Sequence, residues 1–94
     1  MARKFDVGDV FATAGIYNSM NHDPKFASFT RRSLERHAQG DWGDLPEEDK
    51  LANDEALKDG SRLLSAYQFN DKEKVWIITE ADRSHTTVLF PSEY

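Results

Sequence analysis

Glu80, Asp82, Ser84 and His85 crowd one short stretch, and an acid, a hydroxyl and an imidazole are the parts of a hydrolase. Their spacing argues against that chemistry. Neighbours on a strand alternate faces, and Ala-Asp-Arg-Ser between two β-branched runs is ordinary turn composition. A nucleophile also needs a base within hydrogen-bond reach and a donor for the oxyanion, and spacing alone supplies neither. The expectation is no catalytic residue and no enzyme. A metal centre fares no better. His22, His37 and His85 with Asp23, Asp41 and Asp44 follow no zinc spacing, and His37 falls on the apolar side of a helix. The chain has no cysteine, so thiolate ligands, disulfides and cysteine nucleophiles are excluded together. Neither metal nor cofactor is expected.

Two constellations point to binding instead. Between Asp41 and Asp59 stand eight carboxylates against two lysines. Such a run is ordinarily a solvated helix face, yet it also suits an arginine-rich groove, where it would imitate a nucleic-acid backbone. Asp44, Glu47 and Glu48 are the candidate contacts there. The second constellation is aromatic and basic: Trp42, Tyr67 and Trp76 with Arg31, Arg32, Arg36, Arg62 and Arg83, and hydroxyls from Thr79, Thr86 and Thr87. Stacking surfaces and guanidinium forks are what a nucleotide requires, although a Gly-x-x-Gly at Gly40 to Gly43 is too sparse for a phosphate loop. Gly40 and Gly43 flank Trp42, which suggests a tight loop that presents the indole beside a helix N-terminus. Trp42 and Arg83, with Tyr67, are therefore expected on a binding surface; the alternative is a loop tryptophan that lids the core, with Trp76 in the core and the arginines a plain helix surface.

These residues need a frame. Lys74 to Glu80 and His85 to Phe90 are two runs rich in β-branched and aromatic residues around a polar break, which is a hairpin. Val75, Ile77 and Thr79 share one face, Trp76 and Ile78 the other, and Pro91 stops the ladder. Ser61 to Phe69 is a third strand, joined to the hairpin by a polar turn at Asn70 to Lys74. Earlier, Gly8-Asp9 turns into a short strand ended by Gly15, and Ile16 to His22 is ambiguous between a loop and one helical turn. Asp23-Pro24 opens a helix that runs to about Ala38, with Phe26, Ala27, Thr30, Leu34, His37 and Ala38 on one side. Asp44 with Glu47 reads as a capping box, so a second helix starts near Leu45 and ends before Gly60. The order β-α-α-β-β-β predicts one α+β domain over residues 1–94, a sheet of about four antiparallel strands with two helices on one face.

Ninety-four residues suffice for one domain with a thin core, and a formal charge of −5 disfavours direct nucleic-acid binding. No apolar run reaches a membrane span, and the first residues lack a signal-peptide segment, so a cytoplasmic setting is expected. Gly40-Asp41-Trp42-Gly43-Asp44-Leu45, Glu48-Asp49-Lys50, Arg62 to Tyr67, Trp76 to Ser84, Thr86-Thr87 and Phe90 to Tyr94 resemble a family of short proteins. These are carried by phages, plasmids and other mobile elements of bacteria, and have no accepted active site. The resemblance implies an accessory factor acting in the bacterial host against its defences. Two partners are compatible with the residues: a host defence protein with a basic surface, as for an anti-CRISPR inhibitor, or a small nucleotide signal held by a sponge. A nucleotide-processing enzyme is a third class. The oligomeric state is open, a homodimer included.

Overall fold

A computed structural model describes residues 3–94. In chain order the elements are β1 (Asp9–Ala12), α1 (Ala14–His22), α2 (Pro24–Ala38), α3 (Glu47–Asp59), β2 (Leu63–Gln68), β3 (Lys74–Thr79), β4 (His85–Leu89) and a closing 3-10 turn at Pro91–Glu93. The α+β architecture follows the sequence, with two differences. The sheet order is β1-β4-β3-β2, and β1 lies parallel to β4 while the other pairings are antiparallel. A parallel neighbour needs a long crossover, and the three helices between β1 and β2 are part of it. The second difference is α1 itself. Thr13 Oγ1 accepts Ile16 N–H at 3.3 Å and starts a helix that contains Gly15, so Gly15 ends no strand.

Asp23 joins α1 to α2 by serving both. Its N–H donates to Ser19 O at 3.0 Å, closing α1, and its carboxylate accepts Lys25 N–H at 3.0 Å, opening α2 ahead of Pro24. The amphipathic face of α2 is close to the expected one: Phe26, Ala27, Thr30, His37 and Ala38 are buried, Ser33 joins them, and Leu34 is only half-buried against the core. Ile16 of α1 and Phe26 pack on Tyr67, Val75, Ile77 and Val88, which the two-residue period places on one sheet face. The opposite face, with Ile78 and Leu89 buried, carries Trp76 against Tyr94, ring centroids 5.8 Å apart.

The capping box does not form. Pro46 is the N-cap of α3 without a side-chain bond, and Asp44 instead accepts Gln68 N–H of β2 at 2.8 Å. At its other end α3 stops at Gly60, whose φ of 81° is the left-handed cap that glycine adopts at least cost. The helix seats Ala56 in a second cluster with Trp42 and Leu63, and Phe5, Leu45 and Leu57 close around it. No helix among the described residues is long and apolar enough to cross a membrane.

Candidate functional site

Trp42 is not displayed. It is 3% exposed, its indole N–H donates to Asp54 Oδ1 at 3.0 Å, and Phe5 stacks on it at 6.2 Å. The loop's glycine serves the backbone rather than the indole. Gly43 has φ 76°, and a Cβ there would stand 2.0 Å from Ala66 O. Only glycine therefore lets this loop bridge β2, where Ala66 N–H donates to Trp42 O at 3.3 Å and Asp44 N–H donates to Ala66 O at 2.7 Å. Tyr67 is fully buried, with Arg36 lying 4.9 Å over its ring. Burial raises its phenol well above the usual range.

Arg83 is likewise turned inward. Nη1 donates to Ser61 O (2.7 Å), Glu80 O (3.0 Å) and Ala81 O (3.2 Å), and Nη2 donates to Ala56 O at 3.1 Å. The guanidinium thus caps the last turn of α3 and ties it to the β3–β4 turn. The expected binding set of Trp42, Arg83 and Tyr67 belongs to the interior and its seams. Trp76, with Arg62, lies toward the other sheet face beside Tyr94. No nucleotide platform is assembled from these residues.

The polar stretch after β3 forms a turn as its composition required. Ser84 Oγ lies 3.0 Å from His85 Nδ1, but Asp82 accepts Ser84 N–H at 2.9 Å. Bonding to Ser84 holds the Asp82 carboxyl below its ordinary range. The acid therefore braces the serine and makes no hydrogen bond to the imidazole, the reverse of a relay in which acid positions base.

A second serine–histidine pair lies where sequence spacing gave no sign of it. His37 Nδ1 meets Ser65 Oγ, and His37 Nε2 is 2.8 Å from Thr79 Oγ1. The chain continues through Thr79 Oγ1 to Thr86 Oγ1 (2.7 Å), and Thr86 donates to Val7 O at 2.7 Å. In the other direction Ser65 is 3.1 Å from Tyr67 OH, which donates to Asp41 O at 2.6 Å. Ser65, Thr79 and Thr86 face α2 by strand alternation, which puts them under His37. Both ends are carbonyl acceptors. The hydroxyls and one ring N–H of a neutral imidazole supply one hydrogen fewer than the contacts require. The longest contact, Tyr67 to Ser65, is the one left without a hydrogen, so Ser65 donates to Nδ1 and Nε2–H donates to Thr79. Burial, aided by the Arg83 charge, pushes His37 down to about 3, which keeps it neutral. His37, Ser65 and Thr79 have no exposed surface, so no substrate reaches them. This is a structural network.

The remaining candidates, Glu47 and Glu48, stand exposed in the first turn of α3. That helix carries six carboxylates against two lysines. Leu51 projects from it 62% exposed, with Glu47 and Glu48 one turn before and Asp54 and Glu55 one turn after. The lysines answer only loosely, Lys50 to Glu47 at 3.7 Å and Lys58 to Glu55 at 3.8 Å. Asp44 is exposed at the head of the same helix, although its carboxylate is committed to β2. Beside it, Leu45, Asp49, Ala52, Asn53 and Leu64 line a shallow cleft of about 300 Å³. Among the described residues no cluster of His, Asp and Glu is placed to hold a metal. No protein-family model matches the chain, and no curated protein or solved structure matches it significantly.

Proposed function

We propose that this protein works by occupancy: the outward face of α3 docks into a basic groove of a macromolecular partner. The observation that carries the reading is an exposed leucine set among carboxylates on a rigid helix. The leucine supplies desolvation energy and the acids supply steering and register, as in helix-in-groove recognition. α3 is held at its C-terminus by Gly60 and Arg83 and along its length by the Trp42–Asp54 bond, so little ordering entropy is lost on binding. The resemblance to mobile-element proteins implies a bacterial host as the setting, and the acidity of α3 fits a defence component whose groove otherwise receives nucleic acid. Blocking that groove requires no catalysis.

The test expresses the protein in bacteria that each carry one defence system and counts phage plaques. Restored plating on at least one system is expected. Reversing Glu47, Glu48 and Glu55 together to lysine is expected to abolish the effect. Glu55 is exposed with only a loose lysine partner, and its reversal should cost within about 0.5 kcal/mol. Glu47 and Glu48 stand in the first turn, where each lost carboxylate costs about 0.3–1 kcal/mol against the helix dipole and a lysine adds to it, so circular dichroism must show the variant folded. Asp54 is left out of the set because its reversal would unpair the Trp42 indole. Unchanged inhibition by the folded triple variant would remove α3 from the mechanism.

A further inference from the structure

The two edges of the sheet are finished differently. On β2, Asn53 takes both polar backbone groups of Leu64, at 2.6 and 3.1 Å. Trp42 O and Asp44 N take those of Ala66, and Asp44 Oδ2 takes Gln68 N–H. That edge is sealed. On β1, Asp9 N–H donates to Ser84 O and Thr13 N–H to Val88 O, each at 3.1 Å. Alternation therefore turns Asp9, Phe11 and Thr13 toward β4 and leaves the amides and carbonyls of Val10 and Ala12 facing outward. Among the described residues no hydrogen bond engages those groups. All four β1 residues are exposed. Val10 (46%), Phe11 (54%) and, just beyond, Tyr17 (61%) make up three of the five large exposed hydrophobics among the described residues. An open, apolar edge of this kind is what soluble proteins ordinarily blunt with charge, proline or a covering element.

We propose that β1 pairs antiparallel with β1 of a second copy, about a two-fold axis through Phe11, to give one continuous eight-stranded sheet. The strand is complementary to itself in this register. Val10 of each copy exchanges both backbone hydrogen bonds with the partner's Ala12. The two Phe11 side chains meet at the intervening non-hydrogen-bonded position, where cross-strand contacts are closest. The sealed β2 edge offers no second docking strand, so pairing closes at two copies and does not run on as a fibre. Two four-residue strands and three apolar side chains per copy bury an area at the small end of specific interfaces, below about 1,200 Å². The dimer is accordingly weak and concentration-dependent. Its register also brings Asp9 beside the partner's Thr13, whose hydroxyl donates to Glu93 at 2.6 Å. That like-charge approach, together with the charge of −5 on each copy, loosens the pair at low salt.

Sedimentation velocity from about 1 µM to 1 mM tests this. The expected result is a shift from 10.8 kDa toward twice that mass, stronger in 0.5 M salt. Val10→Pro deletes an outward N–H that the monomer does not use, and Phe11→Lys charges the centre of the seam. Each should weaken dimerisation at least ten-fold, while Asp9→Asn should tighten it several-fold. Amide exchange gives a second reading that needs no variant: Val10 and Ala12 should slow as concentration rises, with Phe11 protected throughout. Should Val10→Pro fail to fold by circular dichroism, Phe11→Lys and the exchange profile decide. A wild-type chain that stays monomeric at 1 mM, or a dimer indifferent to Phe11→Lys, overturns the proposal.

Discussion

His37 is the residue whose surroundings matter most to the fold's chemistry, because it is the titratable centre of a buried chain that links three strands to α2. Its neutrality has a measurable consequence. Above about pH 6.5 the imidazole is neutral in folded and unfolded chains alike, and its stabilising contribution is complete. As pH falls below that value the unfolded chain takes up a proton that the folded chain refuses until about pH 3. Stability should therefore decline by about 1.4 kcal/mol per pH unit from this residue alone. Urea titrations at pH 7, 6, 5 and 4 give the slope, and ¹⁵N imidazole shifts should report a neutral Nε2–H ring at pH 5. A ring that titrates near 6.5 would show the network to be assigned wrongly. Trp42→Ala carries the companion prediction: a loss of about 3–5 kcal/mol, the range for a buried aromatic. A near-unchanged melting temperature would return Trp42 to the surface. The sequence showed His37 on an apolar helix side, but its partners Ser65 and Thr79 come from two strands distant in the chain, and no local pattern signals them. The same holds for Arg83, whose acceptors at Ala56 and Ser61 are remote in sequence.

Among the elements, the loop between α2 and α3 and the helix that follows it act as a hem for the β2 edge. Two glycines in left-handed conformations separate the effects involved. Gly60→Ala meets no atom within 4 Å and should cost about 1 kcal/mol from φ alone, whereas Gly43→Ala must also displace Ala66 O and should cost clearly more. Equal losses in thermal unfolding would mean that the loop yields freely. Asn53→Ala leaves the N–H and C=O of Leu64 without partners, and a loss of about 1–3 kcal/mol for each is expected, with increased aggregation from the exposed edge. Periodicity was enough to find α2 and the hairpin strands. It failed for α1, where Gly15, Asn18, Ser19 and Asn21 weaken the helical signal and a tertiary contact from Glu93 to Thr13 supports the first turn. It also misplaced the start of α3, since Asp44 satisfied every local rule for a cap and then spent its carboxylate on β2.

For the molecule as a whole, Ile77 has no exposed surface and sits in the larger core cluster on the central strand β3. Ile77→Asp should abolish cooperative unfolding, because a buried charge there has no partner. A soluble variant with a sharp transition would place the core elsewhere. The composition and three C-terminal strands were sufficient to read an α+β domain, but parallel docking of β1 could not be read, because nothing local to Asp9–Ala12 names His85–Val88 as its partner. That separation has a price in time. A ribosome adding about 5–20 residues per second needs roughly 4–15 s after making Asp9 before His85 exists. Throughout that interval Val10 and Phe11 have no native strand to join, although α1 and α2 are made well before it ends. Nascent chains of this protein should therefore depend on chaperone cover of the segment around Val10 and Phe11, and β1 should be the last element to gain protection in pulse-labelled exchange.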